Sequence, residues 1–245
     1  MKKNPESPEE IFQEYVADWQ AGFGQELESI ILYGSGARGD YAPGKSDINF
    51  LVMLSLQGIT ALRPAIELTE KWRKRSVAVP LAMTRTYIDN SLDSFPMEFL
   101  SMQKHYKLVF GQDVLRDLKI SMNHLRMQLE REVKGKLLHL RESFLAQGVD
   151  RDRLLELLRQ TLPAFESLFE ALLYLREQPI PQHRREVFMQ AVKLAELDRK
   201  FFEKLFTVVQ QETKPYRNEL LELFEKYISQ IRALALFVDG IEREK

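Results

Sequence analysis

Two stretches of this chain bring together residue types that handle phosphate and hard cations. The first is Leu32-Tyr33-Gly34-Ser35-Gly36-Ala37-Arg38-Gly39-Asp40, and the second is Lys45-Ser46-Asp47-Ile48-Asn49-Phe50-Leu51-Val52. Gly34 and Gly36 have no Cβ, so the backbone around them can come close to a bulky anion and present amide N–H groups to it. Ser35 adds a hydroxyl donor, and Arg38 offers a guanidinium fork for a phosphate. In the second stretch Asp47 and Asn49 stand two residues apart at the mouth of an apolar run. Side chains alternate along a strand, so both would project from one face. Paired oxygens beside a phosphate loop suit Mg²⁺, which prefers hard oxygen ligands and shares them with substrate phosphates. Ser46 is read both as a turn-capping residue and as a contact to a bound nucleotide.

These residues need strands to hold them. Ile30-Ile31-Leu32-Tyr33 is a β-branched run that reads as a buried strand delivering the chain to the glycine turn. Phe50-Leu51-Val52-Met53-Leu54 reads as a second strand. Val77 to Met83 is expected as a third, placed at an edge by Pro80. Pro96 to Met102 is expected as a fourth, and Val109-Phe110 as a short fifth. A helix before the first strand starts at Ser7-Pro8-Glu9-Glu10 and ends near Gly22 and Gly24. Ala61 to Arg75 reads as another helix. Strands separated by helical stretches imply a mixed sheet with helices packed on it.

Beyond Ser121 the texture changes. Helical periodicity runs almost to the end, in four segments. Leu125 to Phe144 follows Ser121 as a cap, Leu154 to Leu175 is interrupted at Pro163, and Val187 to Val208 and Leu220 to Leu234 complete the set. Short connections between them imply an antiparallel bundle. The expected fold class is therefore α+β, a mixed-sheet domain over residues 1–118 followed by an all-α bundle over residues 119–245.

Gly34-Ser35, Ala37-Arg38-Gly39 and Ser46-Asp47-Ile48-Asn49 with its apolar tail resemble the nucleotidyltransferase superfamily, of the DNA polymerase beta type. The likeness is close from about Ile30 to Leu54 and looser out to about Gly111. The two-domain layout is similar to that of the aminoglycoside nucleotidyltransferases. The resemblance implies transfer of a nucleoside monophosphate from an NTP, with ATP the first candidate, to a small-molecule or protein acceptor. It implies Mg²⁺ as cofactor. Gly34, Ser35, Arg38 and Ser46 would hold the nucleotide, and Asp47, Asn49 and a third carboxylate would hold metal. The family carries that third carboxylate on a later strand, which points to Glu98 in Phe95-Pro96-Met97-Glu98-Phe99-Leu100. Asp47 and Glu98 would then be the catalytic acids.

The family has a carboxylate where this chain has Asn49. A carboxamide can ligate through its oxygen but carries no charge. A degenerate nucleotide-binding member with a regulatory or protein-interaction role is therefore the alternative to an active enzyme. Each residue also has a plainer reading: Asp47 as a loop cap, Asn49 as a hydrogen-bond partner of the turn, Glu98, Arg38 and Lys45 as surface charges.

Composition narrows the field. The chain has 245 residues, a formal net charge of -1 and no cysteine. Near-neutrality offers no general attraction to nucleic acid or membrane. Thiol catalysis, disulfides and cysteine-based zinc sites are excluded. The four histidines, His105, His124, His139 and His183, form no spaced metal pair. A polar start and apolar runs far shorter than the ~20 residues of a membrane span give a cytoplasmic expectation. Helical bundles that expose apolar positions often pair, so a homodimer is a further expectation.

Overall fold

Pro8 opens the first helical segment, as proline's fixed φ favours at a helix start. A 3₁₀ turn over Pro8–Ile11 runs into α1, Phe12–Phe23. Ser7 precedes it without a side-chain cap bond. Gly22 lies inside α1, and Gly24, at φ 55°, ends it. The computed structural model describes residues 4–210 and 215–241. It divides the chain into two compact units, Met1–Ile120 and Ser121–Lys245.

The first unit is built on four strands: β1 (Leu27–Tyr33), β2 (Asn49–Leu54), β3 (Leu81–Met83) and β4 (Tyr106–Gly111). Their order across the sheet is β3-β2-β1-β4. Strand β1 is antiparallel to both neighbours, and β3 runs parallel to β2, so the sheet is mixed. The helices of this unit are α1, α2 (Ser35–Arg38), α3 (Leu56–Thr60), α4 (Arg63–Arg73), α5 (Arg85–Ser91) and α6 (Pro96–Lys104).

One face of the sheet, carrying Ile30, Leu32, Phe50, Val52 and Leu54, forms a core with Ile11, Tyr15 and Trp19 of the N-terminal helix and Trp72 of α4. Tyr15 stacks on Phe50 at 4.1 Å between ring centroids and meets Trp72 edge-on at 5.1 Å. Asp18 accepts a hydrogen bond from Trp72 Nε1 at 2.9 Å and pairs with Lys71, which ties α1 to α4. Residues of the opposite face, Ser29, Ile31, Leu51 and Met53, are also fully buried. At about 1.5–3 kcal/mol for each large apolar side chain taken from water, these two layers hold the strands in register.

Two sequence expectations are corrected here. Pro96 to Met102 is not a strand but the body of α6. Pro96 sits at the start of the helix, and Pro96, Met97, Phe99, Leu100 and Met102 are all buried while Glu98 is exposed. The third strand narrows to Leu81–Met83, preceded by an isolated parallel bridge between Ile48 and Val77. Pro80 lies between the two and has no N–H for a ladder.

The second unit is helical: α7 (Met122–Gln147), α8 (Arg151–Thr161), α9 (Glu166–Leu175), α10 (Arg184–Leu194), α11 (Arg199–Val209) and α12 (Arg217–Asp239). Caps set several starts. Ser121 accepts from His124 N at 3.5 Å, and Asp150 from Asp152 N and Arg153 N at 3.1 and 3.0 Å. Four expected helical segments become six helices among the described residues. Pro163 converts one break into a 3₁₀ turn between α8 and α9. The segment expected over Val187 to Val208 divides because Glu196 turns left-handed at φ 53° and Asp198 caps α11 through Phe201 N at 3.0 Å. Phe169, Phe188, Phe202 and Phe206 meet edge to face in the interior. Among the described residues no helix is long and apolar enough to cross a membrane.

Glu196 occupies the position after a helix end where glycine is usual. It is exposed, so its side chain contributes little packing. Glu196→Gly relieves ~1–2 kcal/mol of left-handed strain and costs ~0.5–1 kcal/mol of unfolded-chain entropy. A net gain of roughly 0.5 kcal/mol is expected, read as a higher urea midpoint at unchanged slope. A lower midpoint would show that Glu196 makes a contact worth more than the strain.

Candidate functional site

Strand β1 ends at Tyr33, and the chain turns on Gly34 at φ 72°, ψ -149°. An L side chain holds that conformation only under strain. The turn leads at once into α2, a single turn in which Ala37 N and Arg38 N both donate to Gly34 O at 3.1 Å. Gly39, at φ 89°, closes it with its N–H on Ser35 O, and Asp40 N also donates to Ser35 O at 3.0 Å. In such a turn the Ser35 and Gly36 amides precede the first intrahelical bonds, so they point outward from its start. A helix of four residues has little macrodipole; the local amides matter more.

The two loop glycines have different reasons to be glycine. A Cβ on Gly34 would approach Asn49 Nδ2 at 3.4 Å, on the side where β2 begins. A Cβ on Gly36 would meet Leu32 Cδ1 at 3.2 Å and Pro8 Cγ at 3.3 Å. Gly36 thus has a packing reason to be small, since apolar side chains lie over it.

Tyr33 pairs directly with Asn49 across the β1–β2 ladder, so the glycine turn and the mouth of β2 are neighbours. Ile48 is fully buried in the core, while Asp47 is exposed and Asn49 half-buried on either side of it. Asn49 begins β2, and Asp47 lies in the loop just before it. Asn49 Nδ2 donates to the Asp47 carbonyl at 3.3 Å. Its nitrogen serves the turn, and Oδ1 is the atom of that side chain able to meet a cation or a hydroxyl. Ser46 is drawn into the loop: its Oγ accepts from Ala42 N at 3.2 Å, and its own N–H donates to Ala42 O at 2.9 Å. Arg38 is partly buried at the end of α2, and Lys45 is exposed.

Tyr41 is a residue that no sequence signal marked. Its hydroxyl donates to Pro5 O at 3.1 Å, pinning the loop after α2 to the N-terminal segment. Burial, then the carboxylates of Glu10, Glu6 and Asp47, hold its phenol above the usual tyrosine range. That places negative charge from three acids near one hydroxyl, with Asp47 among them.

Glu98 does not join the sheet. It lies exposed in the first turn of α6, where a carboxylate suits the positive helix end. Beside Asn49, the neighbouring strands offer Tyr33 on one side and the apolar stretch from Val77 to Pro80 on the other. Neither supplies an acid. Among the described residues no group of three or more His, Cys, Asp or Glu side chains is arranged to hold a metal ion. Asp47 and Asn49 bring a single carboxylate to this end of the sheet and do not make the carboxylate cluster that clamps two cations.

No family model and no curated protein matches this chain. Among solved structures, it is similar to the crystal structure of spectinomycin adenyltransferase AAD(9) from Enterococcus faecialis with ATP and spectinomycin. The two are 12% identical over 90% of this chain and 99% of that one, with a TM-score of 0.48. Likeness at that level leaves function to the residues themselves.

Proposed function

We propose that the Gly34–Arg38 turn binds the phosphates of a nucleoside triphosphate, ATP first, and that the protein transfers the nucleoside monophosphate to a small-molecule or protein acceptor. An acceptor oxygen would attack the α-phosphorus, the bond to the β-phosphate oxygen would break, and pyrophosphate would leave. Residues 1–118 would handle the nucleotide, and residues 119–245 would form the helical domain. The observation that carries this reading is the Gly34 turn at φ 72°, opening directly beside the Tyr33–Asn49 pair. It sets outward amides, the Ser35 hydroxyl and Asp47 at one end of the sheet.

The Ser35 and Gly36 amides would bind phosphate oxygens, with the Ser35 hydroxyl as a further donor. Arg38, as a guanidinium close to the turn, would neutralise charge on the same group. Mg²⁺, when bound, would offset phosphate charge, held from the protein side by Asp47 and Asn49 Oδ1. Asp47 is also the residue proposed to take the acceptor proton.

A second reading, nucleotide binding without turnover, rests on two observations. Asn49 gives its amide nitrogen to Asp47 O, and the expected third acid, Glu98, lies on a helix. Labelled ATP titrated with and without Mg²⁺ tests binding, and pyrophosphate release with candidate acceptors tests transfer. Saturable binding strengthened by Mg²⁺ is expected. Absence of binding under both conditions overturns both readings.

Asn49→Asp tests the cation contact that both readings share. It removes the 3.3 Å bond and sets a carboxylate against the Asp47 carbonyl, at a cost of about 0.5–1.5 kcal/mol in stability. The added charge is expected to steepen the Mg²⁺ dependence of ATP binding. A variant with the same Mg²⁺ dependence as the parent would show that residue 49 does not face the cation.

A further inference from the structure

We propose that a pocket in the helical unit, at the start of α7, binds the phosphate or carboxylate group of a small anionic ligand through Arg126. This is independent of the nucleotide reading, because every residue involved lies beyond Ser121. The pocket has a volume of about 290 Å³ and is lined by Met122, Asn123 and Arg126 of α7, by Arg176 after α9 and by Gly240 after α12.

Arg126 is the unusual group. It is only 5% exposed, yet it lines a polar cavity. Its Nη1 donates to Glu130 Oε2 at 2.8 Å, one turn along the same helix. Such a pair forms equally well on a helix surface and gives no reason to bury a guanidinium, which is costly to take from water. Glu130 is shared: Lys134 Nζ reaches its other oxygen at 2.6 Å and Asp239 at 2.7 Å. Lys134 first, and Arg126 after it, hold the Glu130 carboxyl below its usual range against the opposing effect of burial. Arg126 and Lys134 thus share one network with the carboxylates of Glu130 and Asp239, in which Lys134 is held between the two acids and Arg126 keeps one face toward the pocket. The other acids nearby, Asp239 and Glu177, are exposed, and solvent screens them.

Arg126 therefore brings a buried positive charge to the pocket. With Nη1 on Glu130, its Nε and Nη2 are the donors an incoming oxyanion would take as a fork. Met122 and Asn123, in the first turn of a 26-residue helix, add outward amides on the same side. Arg176, exposed at the rim, supplies a second guanidinium.

The test uses the full chain, labelled with ¹⁵N and titrated separately with inorganic phosphate and with citrate, at ionic strength matched by NaCl. Saturable shifts of the Asn123, Arg176 and Gly240 amides are expected, and the ion that produces them identifies the source of the group. Saturation at these amides by neither ion, or shifts confined to Gly34–Arg38, overturns the proposal. Arg126→Lys keeps the charge and loses the fork, and is expected to weaken binding roughly 10-fold or more. Because Arg126 is buried, Asn123→Asp serves as a second variant. It adds a negative charge at an exposed rim position that a helix start tolerates, so it is expected to weaken binding with the melting curve unchanged. If both variants respond to the ions like the parent, Arg126 does not anchor an anion.

Discussion

Gly34→Ala is expected to remove nucleotide binding from an otherwise folded protein. Gly34 sits at φ 72°, ψ -149°, a region that costs a side-chain-bearing residue about 1–3 kcal/mol. Alanine would either hold that strain or turn the adjoining peptides and misdirect the amides of α2. The first lowers stability; the second weakens phosphate binding, by roughly 10-fold or more if 1.4 kcal/mol or more is lost, and is the outcome expected here. Calorimetric titration with ATP reads the affinity. Gly36→Ala is the control. Its Cβ meets only the side chains of Leu32 and Pro8, so it should lower stability modestly and leave affinity near that of the parent. If Gly34→Ala bound ATP within twofold of the parent, the turn would not be the phosphate site.

The largest loss of stability is expected from Gly111→Ala. Gly111 ends β4 at φ 77°, opposite Ser29 of β1. A Cβ there would lie 1.9 Å from the Glu28 carbonyl oxygen, a backbone atom that cannot swing aside. Left-handed strain of ~1–2 kcal/mol adds to ~1–3 kcal/mol of overpacking, about 2–5 kcal/mol in all. The chain's two tryptophans, Trp19 and Trp72, are both buried in the sheet-bearing unit, so their fluorescence reports on that unit. Its melting midpoint is expected to fall by on the order of 10 °C. A shift of less than about 2 °C would mean that the end of β4 moves away at little cost.

The parts of the fold that show in the sequence are those where local chemistry and tertiary role coincide. Ile30 to Tyr33 and Phe50 to Leu54 are apolar runs without helical period, and both are central strands. Gly34 is legible because only glycine accepts its backbone angles. Pro96 to Met102 misleads for a stated reason. Its run Pro-Met-Glu-Phe-Leu-Ser-Met buries five positions in α6, and an apolar run that short has no decisive period. The proline at its head was the better signal, since proline favours a helix's first turn. Reading that run as a strand put Glu98 at the metal site, and reading it as a helix takes Glu98 off the sheet. Ser46 and Asn49 each make the hydrogen bond that the plainer of their two readings expects. Tyr41 could not be found at all. Its importance comes from a bond to Pro5, and nothing near residue 41 in the sequence marks that partner.

The pairing of β1 with β4 also bears on how the protein forms. Strand β1 is finished by Tyr33, yet its outer neighbour spans Tyr106–Gly111, and the Ser29–Gly111 pair closes a loop of about eighty residues. The helical unit also closes a distant contact, between α7 and α12, where Lys134 Nζ meets Asp239 at 2.7 Å. Contacts between distant residues form slowly, because chain closure precedes the gain from packing. On a ribosome, the glycine turn would emerge early and wait for β4 before its strand acquired both flanks. Nascent chains halted before residue 106 should therefore expose β1 to proteases, and chains that extend past Ile120 should protect it.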